Sequence, residues 1–178
     1  VTTGDQNRWK TQMGGPVLGL HHRNNQDAQM LTYTSLPMKE DVQITGTPVV
    51  TLNMSSTHSD GAVFVYMEDV DENGMSCYIT EGGLRLIHRK ISTDSSSFNM
   101  HSFSEEDAAL MQPGKKELVI FKLWPTSVLI QKGHSIRIAI AGADKGTFDK
   151  IPKQGKPTLT IDLSQTEGSF VSLPVLEE

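Results

Sequence analysis

The sequence predicts an all-β domain of the sandwich or barrel kind, and three observations carry that prediction. Short β-branched runs recur at spacings near ten residues, with turn residues between them. In Ser135-Ile136-Arg137-Ile138-Ala139-Ile140-Ala141 the isoleucines alternate with smaller or charged residues, and a period of two puts them on one face of a pleated strand. No window of eleven residues shows a convincing helical period.

Residues 1–28 are polar and aperiodic. Gly4, Gly14, Gly15 and Pro16 punctuate them, and Trp9 is their largest apolar group. This stretch reads as an arm, the trailing end of something upstream, with 29–178 as the domain proper. The first residue is Val1, with no basic-then-apolar signal segment after it. The chain is therefore read as an excised piece, and its compartment is left open.

Strand signals begin beyond Met30. Val42-Gln43-Ile44 is followed by Pro48–Met54, Ala62–Met67 and Ser76–Thr80, with Leu84–His88 as a further candidate. A second set comprises Glu117–Trp124, Ser135–Ala141, Thr158–Leu163 and Ser169–Leu173. Between the sets, residues 92–116 carry no strand signal, and a structureless loop of that length usually belongs to a function or an interface. Within it, Ser104–Leu110 predicts two helical turns, with Ser104 as N-cap and acids in the first turn.

Composition narrows the partners. Sixteen Lys+Arg against twenty-one Asp+Glu leave a net charge of -5. That balance argues against nucleic acid or an anionic membrane, because both demand a basic patch. No apolar run approaches the roughly 20 residues of a helical span. The single cysteine, Cys77, excludes an internal disulfide and any multi-thiolate metal site.

Several motifs come close to a catalytic or metal pattern. Gly133-His134-Ser135 resembles the start of a G-x-S-x-G nucleophile elbow, but Arg137 stands where the second glycine belongs and a strand pattern follows instead of a helix. Lys132-Gly133 reads as a turn that starts the strand. Gly74-Met75-Ser76 fails on the same grounds.

Asp69-Val70-Asp71-Glu72-Asn73-Gly74 matches half of a calcium loop, yet Thr80 occupies the position of the bidentate Glu and the flanks are strands. A hairpin with an Asn73-Gly74 type I′ tip explains it better. His21, His22, His58, His88, His101 and His134 include no helical i, i+4 pair, and no acid stands in a recognised relation to them. Cys77 has no basic neighbour in its strand pattern and reads as a buried structural thiol. Asn53-Met54-Ser55 is formally a glycosylation acceptor, but it ends an apolar strand. The reading is of a chain with no catalytic residue, no metal and no cofactor of its own.

A set of segments, taken in order, resembles one family. Val42-Gln43-Ile44-Thr45-Gly46-Thr47-Pro48-Val49-Val50 is similar to the opening of the C-terminal domain shared by cocaine-esterase-like hydrolases and Xaa-Pro dipeptidyl peptidases. The likeness continues through Phe64–Val70 with Asp71-Glu72-Asn73-Gly74, then Ile79-Thr80-Glu81-Gly82-Gly83-Leu84-Arg85. Phe103, Glu106, Asp107, Ala108 and Pro113-Gly114 fit the connecting loop, and Lys132-Gly133-His134-Ser135-Ile136-Arg137-Ile138 the late strand. Gly4 with Asn7-Arg8-Trp9 looks like the segment that closes the preceding hydrolase domain.

The resemblance covers about residues 1–150. It implies a jelly-roll β-sandwich, similar to galactose-binding domains, behind an α/β-hydrolase domain that holds the Ser-His-Asp triad. It further implies that no catalytic residue maps onto this chain, and that its partners are that upstream domain and, in some members, further copies of the same protein. Trp9 and Phe103, which lie in segments with no core pattern, are the expected contacts with the upstream domain. The competing reading is a free-standing carbohydrate-binding module. Only 6% of the residues are aromatic, a thin platform for stacking sugars.

Overall fold

The computed structural model describes residues 22–92, 100–145, 147–164, 166 and 168–176. Trp9 and His21 lie outside them. Among the described residues a short helix, α1 (Asn24–Asp27), precedes ten strands: β1 Leu31–Thr34, β2 Val42–Gly46, β3 Val49–Ser56, β4 Ala62–Val70, β5 Ser76–Arg85, β6 Glu117–Lys122, β7 Thr126–Ile130, β8 Ser135–Ala141, β9 Leu159–Ile161 and β10 Phe170–Ser172.

One sheet runs β1-β8-β4-β5, all antiparallel. In the other, β3 pairs with β6 along one edge. Its opposite edge is shared by β10, against Val49–Thr51, and β9, against Met54–Ser56. Asn53 fills the gap between them, its carbonyl accepting from Asp162 N and its amide donating to Ser169 Oγ. A third ladder joins β2 to β7.

The two layers close on one apolar core. Val63, Val65 and Met67 of β4 and Ile136 and Ile140 of β8 meet Val50, Leu52 and Met54 of β3 and Val119 and Phe121 of β6. Ile44 and Ile130 extend it across the β2–β7 ladder. The alternating isoleucines of β8 thus face inward, as their period requires. This is an all-β sandwich.

β4 is buried on both faces, because Ala62, Phe64 and Tyr66 form a second cluster with Ala139 and Ala141 on the outer side of its sheet. Met30 and Tyr78 pack on this cluster, and Phe148 stacks on Phe64 at 4.9 Å. At the far edge of the same sheet, β1 has all four residues exposed and no charged side chain.

The structure corrects several expectations. β1 and β7 carried no strand reading: β1 is four residues long and exposed throughout, and β7 is five residues long with only Ile130 buried. Leu84–His88 is not one strand: β5 ends at Arg85, and Leu86–His88 is a 3-10 turn that buries Leu86. The helix expected over Ser104–Leu110 shrinks to a 3-10 turn, Glu105–Asp107, without a side-chain cap. Ala109 N donates to Ile87 O, which draws the chain into extended form at Ala108.

The hairpin joining β4 to β5 is real, but its turn is not type I′. Only Gly74 has positive φ, at 80°, and Gly74 N donates to Asp71 O. That is a type I turn closed by a glycine bulge. A type I′ turn at Asn73-Gly74 would need left-handed geometry at Asn73 as well. Gly74→Ala should therefore lower the unfolding free energy by about 1–2 kcal/mol in urea titration, while Asn73→Ala should stay within about 0.5 kcal/mol.

Candidate functional site

Two features distinguish this sandwich from a plain scaffold. The first is a cleft of about 160 Å³ whose walls include His101, Phe103, Lys122 and Trp124 and whose floor is Gly82-Gly83. The glycines are dictated by packing: a Cβ on Gly82 would stand 2.6 Å from Lys122 O, and one on Gly83 2.6 Å from the Phe64 ring. Trp124 is fixed through its backbone, its amide donating to Glu81 O and its carbonyl accepting from Thr80 Oγ1, both at 2.9 Å or less. Its side chain is left 59% exposed.

Phe103 is 57% exposed and leans on two imidazoles, with ring centroids 5.4 Å from His88 and 6.2 Å from His101. His101 is buried, and that burial lowers its pKa, with the Lys90 carbonyl opposing. Two rigid aromatics at the mouth of a backbone-floored cleft make an anchor for a partner's apolar side chain.

The second feature is a buried ion network that clamps residues 22–30 across the outer face of β4, β5 and β8. Arg23 Nε donates to Glu68 Oε1 at 2.6 Å, with side chains only 2% and 0% exposed. The Arg23 guanidinium also lies 4.2 Å over the Tyr66 ring, a cation–π arrangement. Asp27 Oδ2 accepts from Ser76 Oγ at 2.7 Å and from Arg137 Nη1 at 2.9 Å. Asn24 takes the Ser76 amide and donates to Gly74 O.

Burial dominates at Glu68 and raises its pKa to about 7; the Arg23 hydrogen bond opposes this and Asp27 adds to it. Sequence reading missed this network, although a signal was present. Glu68 follows Phe64 and Tyr66 at a period of two, so it shares a face with two large aromatics.

The near-motifs resolve structurally. Ser135 opens β8 and is buried, and the turn before it is closed by His134 N on Gln131 O with Gly133 at φ 86°. His134 Nδ1 does meet an acid, Asp69, at 2.9 Å, a pair the sequence did not suggest because it spans 65 residues. Asp71 Oδ1 accepts from the amides of Asn73 and Met75, which lowers its pKa and turns the carboxylate inward on the hairpin.

Cys77 is half-buried, not buried, and its Sγ lies 3.7 Å from His22 Nδ1, so it does have a basic neighbour. Burial followed by the nearby Asp69 charge nonetheless raises its pKa, disfavouring thiolate. Among the described residues, no three His, Cys, Asp or Glu side chains converge as a metal-ligand group.

The described residues thus form a two-layer β-sandwich with an aromatic-rimmed cleft and a clamped entry segment. The chain belongs to the family of X-Pro dipeptidyl-peptidase C-terminal non-catalytic domains, whose model matches residues 3–171. A Mycobacterium bovis protein bearing a serine esterase name is 44% identical over 180 residues, spanning 98% of this chain and 28% of that protein. A Streptomyces avermitilis protein named as an Xaa-Pro dipeptidyl-peptidase is 24% identical over 173 residues, spanning 82% of this chain and 25% of that protein. The chain thus spans about a quarter of the length of these relatives.

Among solved structures, an α-amino acid ester hydrolase superposes with a TM-score of 0.73 at 22% identity, over 88% of this chain and 27% of that one. A CocE/NonD family hydrolase from Staphylococcus aureus gives 0.66 at 15% identity, over 83% of this chain and 30% of that one. At these identities the likeness is one of fold.

Proposed function

We propose that this chain is the C-terminal sandwich of a serine hydrolase of esterase, acylase or dipeptidyl-peptidase type. It docks on an upstream α/β-hydrolase domain of the same polypeptide and helps wall the entrance to that domain's active site. Residues 1–28 form the junction, Trp9 and Phe103 face the upstream domain, and Trp124 joins them. Contacts between copies of the whole protein are part of the same reading.

The observation that carries it is the pair of exposed aromatics, Phe103 and Trp124, set around a floor that admits no side chain. A water-facing patch of this kind costs solubility unless something covers it. The esterase and dipeptidyl-peptidase names of relatives about four times longer support the identity of that cover. Carbohydrate binding is less favoured: the cleft is small for a sugar platform, and the family is a hydrolase accessory domain.

The test compares Phe103→Asp in the 178-residue chain and in the full polypeptide. The isolated chain should hydrolyse p-nitrophenyl acetate no faster than buffer. In the full protein, Phe103→Asp should weaken docking by about 2 kcal/mol, seen as protease cleavage between the domains and lowered ester turnover. In the isolated chain the same change should move stability by about 0.5 kcal/mol or less. Equal effects in both settings would mean that nothing covers Phe103.

A further inference from the structure

The ion network contains an imbalance that hydrogen bonds among the ionised groups do not remove. Glu68 Oε2 and Asp27 Oδ1 are both buried without a donor. Each carboxyl's other oxygen is fully engaged, Glu68 Oε1 by Arg23 and Asp27 Oδ2 by Ser76 and Arg137. Two orphan acceptors in a water-excluded interface are costly. They also belong to neighbouring carboxyls: Arg23, which pairs with Glu68, accepts the Asp27 amide at its carbonyl, and Arg137, which pairs with Asp27, stands opposite Glu68 in the β4–β8 register.

One proton satisfies both atoms. We propose that Glu68 and Asp27 share a proton across the interface between residues 23–30 and the sheet, an Oε2–H···Oδ1 bond that latches this segment onto β4 and whose loss on deprotonation weakens the latch without releasing Arg23. The groups around it come from every packed element. The latched segment supplies Arg23 and Asp27, β8 supplies Arg137, β5 supplies Ser76 and Tyr78, β4 supplies Tyr66, and the segment after β8 supplies Asp144.

Each arginine gives a hydrogen bond to one carboxylate oxygen, and Arg23 Nη2, buried in the same site, reaches neither orphan oxygen. The sign follows from the raised pKa of about 7 against an ordinary 4.5. The folded state holds the proton more tightly than the unfolded chain, so this contribution is present at acid pH and is lost as pH rises from about 4.5 through about 7.

The experiment uses the 178-residue chain, infrared difference spectroscopy and amide exchange of the latched segment at about pH 5 and about pH 8. The wild type should show the carbonyl stretch of a protonated carboxyl at neutral pH. Glu68→Gln should lack it while keeping the latch, because the new amide donates to Asp27. Asp27→Asn should also lack it, because an amide donor then meets an ionised Glu68.

Relative to Glu68→Gln, the wild-type folding constant should fall roughly ten- to a hundredfold between those pH values, with Asp27, Ala28 and Met30 amides losing protection first. Absence of the carboxyl band in the wild type, or a Glu68→Gln protein that tracks the wild-type pH dependence, would overturn the latch.

Discussion

At about pH 8, Arg23→Ala is expected to lower the unfolding free energy of the 178-residue chain by about 3–5 kcal/mol. Arg23 donates to Glu68 Oε1 at 2.6 Å and caps the Tyr66 ring, in a site where neither charged side chain reaches water. Removing it leaves the Glu68 carboxylate buried beside Asp27 with no cation of its own. The cost arises from that stranded charge and not from the worth of the pair, which a well-packed apolar substitute matches in many proteins. Near pH 5 the carboxyl is protonated and the loss should shrink to about 1–3 kcal/mol, the scale of an unmade neutral hydrogen bond. Urea titrations at the two pH values check both figures, and equal losses would show that Glu68 does not change its charge between them.

Gly82→Ala should cost about 3 kcal/mol and drop the melting temperature by about 6–12 °C. The added methyl would sit 2.6 Å from Lys122 O and 3.1 Å from Leu123 Cα, so backbone would have to retreat. The retreating segment is the one that donates Trp124 N to Glu81 O, which means the aromatic cleft deforms along with the fold. Gly142→Ala is the control. Its new methyl would meet Leu159 Cδ1 at 3.4 Å, with Leu159 Cγ and Ala62 O at 3.9 Å, all ordinary contacts, and the change should stay within about 0.5 kcal/mol. Differential scanning calorimetry of the two variants separates crowding from a general intolerance of glycine replacement.

How much of this was legible in the sequence depends on the range of the interaction. The two-residue period of β8 and the apolar runs of β3, β4 and β6 are local, and they gave the sandwich directly. Leu31–Thr34 escaped because its Leu-Thr-Tyr-Thr alternation lasts only four residues and buries none of them, too short a signal to set apart from a loop. The Ser104 helix failed for the opposite reason: a good cap and an acidic first turn were overridden by one tertiary hydrogen bond, Ala109 to Ile87.

At the site, Phe103 was singled out because an aromatic in a patternless loop is conspicuous. The pairings Arg23–Glu68, Arg137–Asp27 and His134–Asp69 join residues 45 to 110 positions apart. No spacing rule reaches that far. The docking of α1 across the sheet brings the first two pairs together, and the pairing of β4 with β8 the third.

Handling of the purified chain will be governed by β1. Among the described residues no strand pairs with the outer edge of Leu31-Thr32-Tyr33-Thr34, and Leu36 beside it is 86% exposed. Protective devices such as a lysine, a proline or a bulge are missing from this strip. Turbidity on concentration should therefore begin at this margin of the molecule, with its well-filled interior still intact.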